Sequence, residues 1–411
     1  MASHNLQLGS SSTAASAASN QEILNYDQLA EVFSYLPAKN LSRLHLVSKS
    51  LHNMITSDPL FHLTQSYHNA ATAAIIVETY FGLQYFILDP DAGLPPASLD
   101  ILSPYDEPFC RPCRILCSAG GLIFYLRKDT IFYRICAYNP VRRESWLIRI
   151  PPDCELGPCS SLAVEFTNNV AGDYKLVYLT LVEHWSVRRF RVYDSAAQVW
   201  TRDEVIGCGC RDMRFENPVV HRGSVFWASD CFISQYTSVG PYVLSYEIAT
   251  GVTEFLAMPE PDDGAAEPGD NISVAVWEEM ESWLCLMHYR RRTGTFTAWG
   301  RSGDSWVKLN EFVYLEKPEG VGTMLVCDGG KEKGMVLVFS VRDEVYVYSF
   351  RQKDLTRLAT RPDPWYPYLL RLRKYSAACL RTTGESRSIK VQETQEMGSE
   401  SGGDPTSPTR Q

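Results

Sequence analysis

Positive charge is in short supply. The chain has 39 lysines and arginines against 48 aspartates and glutamates, a formal net charge of −9 at pH 7. That balance lacks the basic footprint of a protein that holds nucleic acid or an anionic membrane. Long apolar runs are missing too, and none approaches the ~20 residues of a membrane-spanning helix. The first twenty residues, MASHNLQLGSSSTAASAASN, contain neither the basic and apolar regions of a secretory leader nor an arginine. A soluble chain of the cytoplasm and/or nucleus is expected.

Catalytic patterns are equally scarce. The eight histidines are scattered, and His45, His52, His62 and His68 fall in one short region. No G-x-S-x-G elbow, HExxH or phosphate-loop glycine pattern occurs. The acidic pairs Glu278-Glu279 and Asp262-Asp263 are neighbours in sequence, whereas a glycosidase needs two carboxylates set across a cleft. Of twelve cysteines, only Cys110-Arg-Pro-Cys113 and Cys208-Gly-Cys210 are close pairs, and neither has a second pair or histidines to complete a zinc site. The cysteines, these pairs included, read as buried free thiols in a reducing compartment. No catalytic residue, metal or cofactor is expected.

What is present falls into two unequal parts. Residues 22–68 carry helical periodicity. Leu29, Val32, Phe33 and Leu36 recur at i, i+3, i+4 and i+7 until Pro37 breaks the run. A second helical face follows in Leu41, Leu44, Val47, Leu51, Met54 and Ile55, ending at Ser57-Asp58-Pro59. From about residue 75 the pattern becomes short β-branched and aromatic runs separated by Gly, Asn, Asp and Pro. EVYVYSF at 344–350 alternates valine and tyrosine, a strand signature. No long amphipathic helix intervenes, which disfavours parallel α/β folds.

The β region repeats. Leu88, Tyr138, Tyr193, Tyr246, Trp299 and Tyr348 each close a strand before a polar turn, at gaps of 50, 55, 53, 53 and 49 residues. After all but the first, a large apolar residue follows (Trp146, Trp200, Phe255, Trp306, Leu355). A second strand recurs ahead of several anchors: GGLIFYL, GSVFWAS and GMVLVFS. Six units of this length predict a small all-α domain followed by an all-β, six-bladed kelch-like β-propeller, because single blades cannot bury both faces alone. Tryptophans 146, 200, 227, 277, 283, 299, 306 and 365 are then core between blades. The expected division is a disordered N-terminus at 1–20, the helical domain at 21–68, the propeller at 69–383 and a disordered tail at 384–411. An acidic Pro/Gly-rich surface loop is expected at 259–270.

Residues 24–61, LNYDQLAEVFSYLPAKNLSRLHLVSKSLHNMITSDPLF, resemble an F-box: Leu24, Asp27, Leu29, Glu31, Val32, Leu36, Pro37, Leu41, Leu44, Val47, Lys49, Ile55, Pro59 and Phe61 fit its order. Asn25, Ser48 and Leu51 depart from its usual proline, cysteine and tryptophan. CAYNPVRRESWLIRIPP and NPVVHRGSVFWAS are similar to strands of the kelch-like F-box-associated domain of plant F-box proteins. The resemblance implies a Skp-type adaptor as partner, linked to cullin and RING subunits of a ubiquitin ligase. Its adaptor-binding positions would be Leu24, Leu29, Val32, Leu36, Pro37, Leu41, Leu44, Val47, Leu51 and Ile55. The propeller would then bind an unidentified target protein. The alternative is a non-catalytic interaction scaffold acting outside ubiquitin transfer. For the target, Arg188, Arg189 and Arg191 with Arg290, Arg291 and Arg292 precede two anchors in matching places. They would form a basic rim, or else the solvated tips of two hairpins.

Overall fold

The computed structural model describes residues 25–36, 38–68, 72–79, 82–87, 113–129, 132–139, 144–149, 161–166, 173–182, 186–231, 239–259, 266–277, 283–314, 320–329, 333–341, 344–360 and 368–373. The termini expected to be disordered, together with Leu24, Pro37, Leu88, Trp365 and half of the acidic loop (260–265), lie outside these residues.

The helical part forms α1 (Tyr26–Ser34), α2 (Ala38–Leu44), α3 (Lys49–Ser57) and α4 (Pro59–His68). Asn25 caps α1 in a reciprocal capping box, its side chain accepting from the Gln28 N–H while the Gln28 side chain accepts from the Asn25 N–H. Ser48 caps α3 by accepting from the Leu51 N–H at 3.2 Å. Two departures from the F-box pattern are therefore helix caps. The Ser48 cap also divides the second predicted helical run in two, leaving His45–Val47 in a turn. Asp58 starts α4 by accepting from Leu60 and Phe61, and its other oxygen accepts from the Tyr26 hydroxyl on α1. Leu41, Met54, Ile55 and Phe61 form the small core, with Leu29, Phe33, Leu36, Leu44 and Leu51 packed around it.

Beyond the helices lie antiparallel sheets. One blade holds β3 (Cys113–Ala119), β4 (Leu122–Asp129), β5 (Phe132–Asn139) and β6 (Glu144–Ile148). The next holds β7 (Ser161–Phe166), β8 (Tyr174–Leu181), β9 (Val187–Asp194) and β10 (Val199–Gly207). Then come β11 (Val219–His221), β12 (Ser224–Ala228), β13 (Tyr242–Glu247) and β14 (Thr253–Ala257). The fourth holds β15 (Asn271–Trp277), β16 (Trp283–Arg290), β17 (Thr295–Ser302) and β18 (Ser305–Val313), and the fifth β19 (Val321–Asp328), β20 (Met335–Val341), β21 (Glu344–Ser349) and β22 (Asp354–Thr360).

Five four-stranded blades result, and the expected count of six is corrected. The remaining sheet has three strands and joins the two ends of the β region, in the order β2 (Gly82–Ile87), β1 (Thr72–Thr79), β23 (Tyr368–Arg373). The repeat misled because this sheet is assembled from distant pieces of chain: the aromatic of β23, Tyr368, opens its strand instead of closing it before a turn, and Leu88 lies outside the described residues. The first strands of successive sheets contact one another around an axis, β3 beside β7, β7 beside β11, β11 beside β15, β15 beside β19, and β23 between β19 and β3. The ring is closed, which removes exposed sheet edges at its centre.

Each large core spans two neighbouring sheets. Ile123 and Phe124 pack with Leu176 and Tyr178, Phe190 with Trp227 and Tyr246, Leu286 with Val243, and Phe296 with Phe339 and Tyr348. EVYVYSF shows why both faces of a blade are apolar. Val345 and Val347 join Ile75 of β1 in one core, while Tyr346 and Tyr348 join the β15–β18 side in another. Truncating a fully buried aromatic such as Phe339 would cost about 3–5 kcal/mol. The five described anchors occupy equivalent third strands, and their following apolar residues occupy the fourth. Trp227, Trp277 and Trp299 are buried, as expected of interblade core.

Candidate functional site

Two surfaces stand out. On the helical unit, Leu41 and Ile55 are fully buried. Both sit in the helical core and hold the helices in place. Leu29, Leu36, Leu44 and Leu51 are half-buried against that core. Of the described predicted positions, Val32 (52% exposed) and Val47 (69%) are open to solvent. Val32 reads as core by periodicity, but α1 is so short that its stripe rests on Leu29, Phe33 and Leu36 alone. The structure adds Tyr26, Tyr35, Leu46 and Leu60, all largely exposed. Sequence reasoning passed over Leu46 because it falls outside the helical repeat, in the turn before Ser48. A group of exposed large apolar side chains on so small a unit marks an interaction surface.

The second surface is one face of the propeller. In every blade the hairpin between the second and third strands, and the link from the fourth strand to the next blade, share one face, because neighbouring strands are antiparallel. The β16–β17 turn at 291–294 and the β8–β9 connection therefore point the same way, as the rim hypothesis requires. The charges are largely spoken for, however. Arg189 grips Asp203 with Nε at 2.6 Å and Nη2 at 2.9 Å, and the buried Arg191 adds Nε at 3.0 Å to the same carboxylate. Arg188 lies 4.8 Å over the Phe215 ring, and Arg290 is buried. Arg292 pairs with Glu267 at 3.1 Å, both exposed. Arg291 is exposed and has no ion-pair partner among the described residues. The basic rim is thereby reduced to the 291–292 turn.

Beside that turn lies an open cavity of about 550 Å³, built across two blades from segments far apart in sequence. Val239, Pro241, Tyr242, Phe255 and Met258 line it, with His288 among them. Val239 and Phe255 are each 51% exposed at its mouth. Phe255 appeared in the repeat as a packing residue, yet its outer strand turns it toward solvent. Gly209 is required here: its φ is +87°, and a Cβ would overlap the Tyr242 hydroxyl. That hydroxyl is fully used, donating to the Cys208 carbonyl at 2.9 Å and accepting from the Arg211 N–H at 3.1 Å.

Beneath the cavity is a buried polar network. His288 Nε2 lies 3.3 Å from Asp270 Oδ2, and Asp270 also accepts from the backbone N–H groups of Glu267 and Arg291 at 2.9 Å each. Burial by itself would raise the Asp270 carboxyl, but these hydrogen bonds prevail and hold it below the usual carboxylate range. Arg214 bonds the Asn271 side-chain oxygen, and Asn271 in turn donates to the Val321 carbonyl at 3.0 Å, tying two blades together. The Cys231 thiol, buried close by, is pushed up to about 12, chiefly by burial and then by Asp270. It is a protonated thiol at neutral pH, not a nucleophile. Cys208 and Cys210 are both free thiols, and no cluster suited to a metal occurs among the described residues.

Residues 24–63 match the F-box domain family. No curated protein matches the sequence. Among solved structures, TolB from Acinetobacter baumannii is similar at 11% identity, covering 80% of this chain and 71% of its own, with a TM-score of 0.44. The luciferin-regenerating enzyme is similar at 10% identity, covering 61% and 77%, with a TM-score of 0.36. The chain carries an F-box domain, and the sheets described above form the β-propeller that follows it.

Proposed function

We propose that this protein is the substrate-recognition subunit of a Skp–cullin–F-box ubiquitin ligase. Its F-box would dock the adaptor, and its propeller would bind the protein to be modified. The observation that carries the reading is the pairing of a matched F-box, which exposes Val32 and Leu60 on its helices and Leu46 and Val47 in the turn between them, with a closed ring of blades. Amphipathic helices of this size dock on a partner's groove. The chain itself supplies no chemistry. Its contribution is proximity, raising the effective concentration of a target lysine near a ubiquitin-charged enzyme.

Topology supports the same division of labour. Thr72 pairs with Arg373, at the end of the ring away from the β16–β17 turn and the cavity. At most about 14 Å of extended chain separates His68 from Thr72. The helical unit is therefore tethered to one face while the cavity opens on the other. We assign residues 21–68 to the docking domain and 69–383 to the receptor. The kelch-like, plant-type kinship is supported by CAYNPVRRESW falling on the β5–β6 hairpin and GSVFWAS on β12. The reduced cytoplasm or nucleus would be its working compartment.

The test is capture of purified Skp-type adaptor by the full-length chain, followed by assembly with cullin and RING subunits. Wild type should retain the adaptor and Val47→Asp should lose it. A wild-type chain that binds no adaptor overturns the reading.

A further inference from the structure

We propose that the cavity between Val239 and Phe255 receives a bulky apolar side chain from a peptide segment of the target, and that Arg291 pairs with an acidic residue next to it. The inference rests on the receptor reading above and names the chemistry that this face selects.

The apolar half follows from the lining. Val239, Pro241, Tyr242, Phe255 and Met258 are its large apolar side chains, beside Cys210 and His288, and the one hydroxyl in the lining is already committed to Cys208 and Arg211. A polar occupant would lose its water without replacement, at a cost that an apolar one avoids. Phe255 stands edge-on to Tyr242, their centroids 5.2 Å apart, and offers its exposed face to a third ring or a branched chain. The mouth is open on the Val239–Phe255 side, so a ligand confined to the cavity would leave both partly wet. A peptide running across the mouth covers them, and that exclusion of water around a buried anchor is what makes an interface hot spot.

The acidic half follows from charge. Among the described residues His288 faces Asp270, Arg292 faces Glu267 and the buried Arg211 lies 4.0 Å from Asp230, while Arg291 has no ion pair. Its backbone N–H is bound to Asp270, and its side chain lies across Gly269, where a Cβ would stand 3.0 Å from Cδ. Gly269 belongs to the 267–270 turn, which directly follows the lining residue Ala266. Glycine thus leaves room for the Arg291 side chain to lie against this turn at the edge of the cavity, where the guanidinium stays exposed. A carboxylate flanking the buried side chain meets it there, in bidentate geometry.

The test is selection of a random-peptide display library on the full-length chain, followed by anisotropy titrations of the enriched peptides. Enriched sequences should set Phe, Trp, Tyr, Leu or Met beside Asp or Glu. Phe255→Glu should weaken their binding about tenfold or more, the scale of an interface anchor. Arg291→Glu should weaken it about fivefold, and changing the peptide's acid to arginine should restore part of the loss in that variant alone. The charge exchange keeps the test open if Phe255→Glu folds poorly. Peptides that bind wild type but ignore both substitutions overturn the cavity and leave the propeller a receptor through some other surface. An empty selection, or one enriched in basic peptides, overturns the proposal as well. Failure of the receptor reading registers separately, as a wild-type chain that captures no adaptor.

Discussion

The indole N–H of Trp306 donates to the backbone carbonyl of Ala257, 2.9 Å away in the preceding blade. Two repeat periods earlier, Trp200 does the same to Arg149 at 2.8 Å. The repeat thus spaces a large apolar side chain on each fourth strand, and in these two blades that side chain is also a strap to its neighbour. Phenylalanine keeps the packing and removes the donor. Trp306→Phe should cost about 1 kcal/mol, the ordinary net worth of such a bond, read as a lower urea midpoint at unchanged slope.

The helical surface separates docking from folding. Val47→Asp alters an exposed turn residue and should shift stability by no more than about 0.5 kcal/mol. Ile55→Asp places a carboxylate in a fully buried site and should unfold the four helices. Both variants should lose the adaptor. Circular dichroism and thermal melting distinguish them, because only the second should lose helical signal at 25 °C. Equal melting of the two would show that Val47 supports the fold.

Lys353, in the turn between β21 and β22, holds φ at +56°. A side chain there strains the backbone, and glycine relieves it at some cost in unfolded-state entropy. Lys353→Gly should therefore raise stability by about 0.5 kcal/mol, while the β-branched Lys353→Val should lower it by about 1 kcal/mol or more. Parallel urea titrations would read both.

The hydrogen bonds on Asp270 bear on acid stability. Its carboxyl is held below its unfolded-state value, so the stabilisation is fully present above that value, near pH 4, and is lost as the pH falls through the folded value. Asp270→Asn should lower stability at pH 7. It should also flatten the fall in melting temperature below about pH 4, since the group that had to be protonated is gone. An unchanged acid limb would mean that other carboxylates control it.

Much of the fold was legible because its signals are local. A helical stripe ending at proline, then alternation in EVYVYSF, separates the two parts, and Tyr138, Tyr193, Tyr246, Trp299 and Tyr348 mark equivalent third strands. The three-stranded sheet was not legible, since β1 and β23 meet only through ring closure and share no motif. Surface roles were harder still. Val32 and Phe33 are neighbours of like hydrophobicity, and only packing decides that one faces water. The arginine clusters were visible as charge, but the partner of Arg189 and Arg191 lies on the next strand. The cavity draws on five stretches of chain around Gly209, Tyr242, Phe255, Ala266 and His288, and no linear pattern unites them.

The sheet that joins β1 to β23 also sets an order of events during synthesis. The helices emerge first, and β1 follows them at once, but its inner partner is made last. At about 5–20 residues per second, roughly a quarter of a minute to a minute passes before β23 exists. Throughout that interval the adaptor-facing helices hang from an open ring that has no finished receptor. A chain that ends early, anywhere before Tyr368, keeps this condition permanently. It would occupy adaptor while delivering nothing, so nonsense variants in the last blade should act as competitors of the intact protein, not as simple losses.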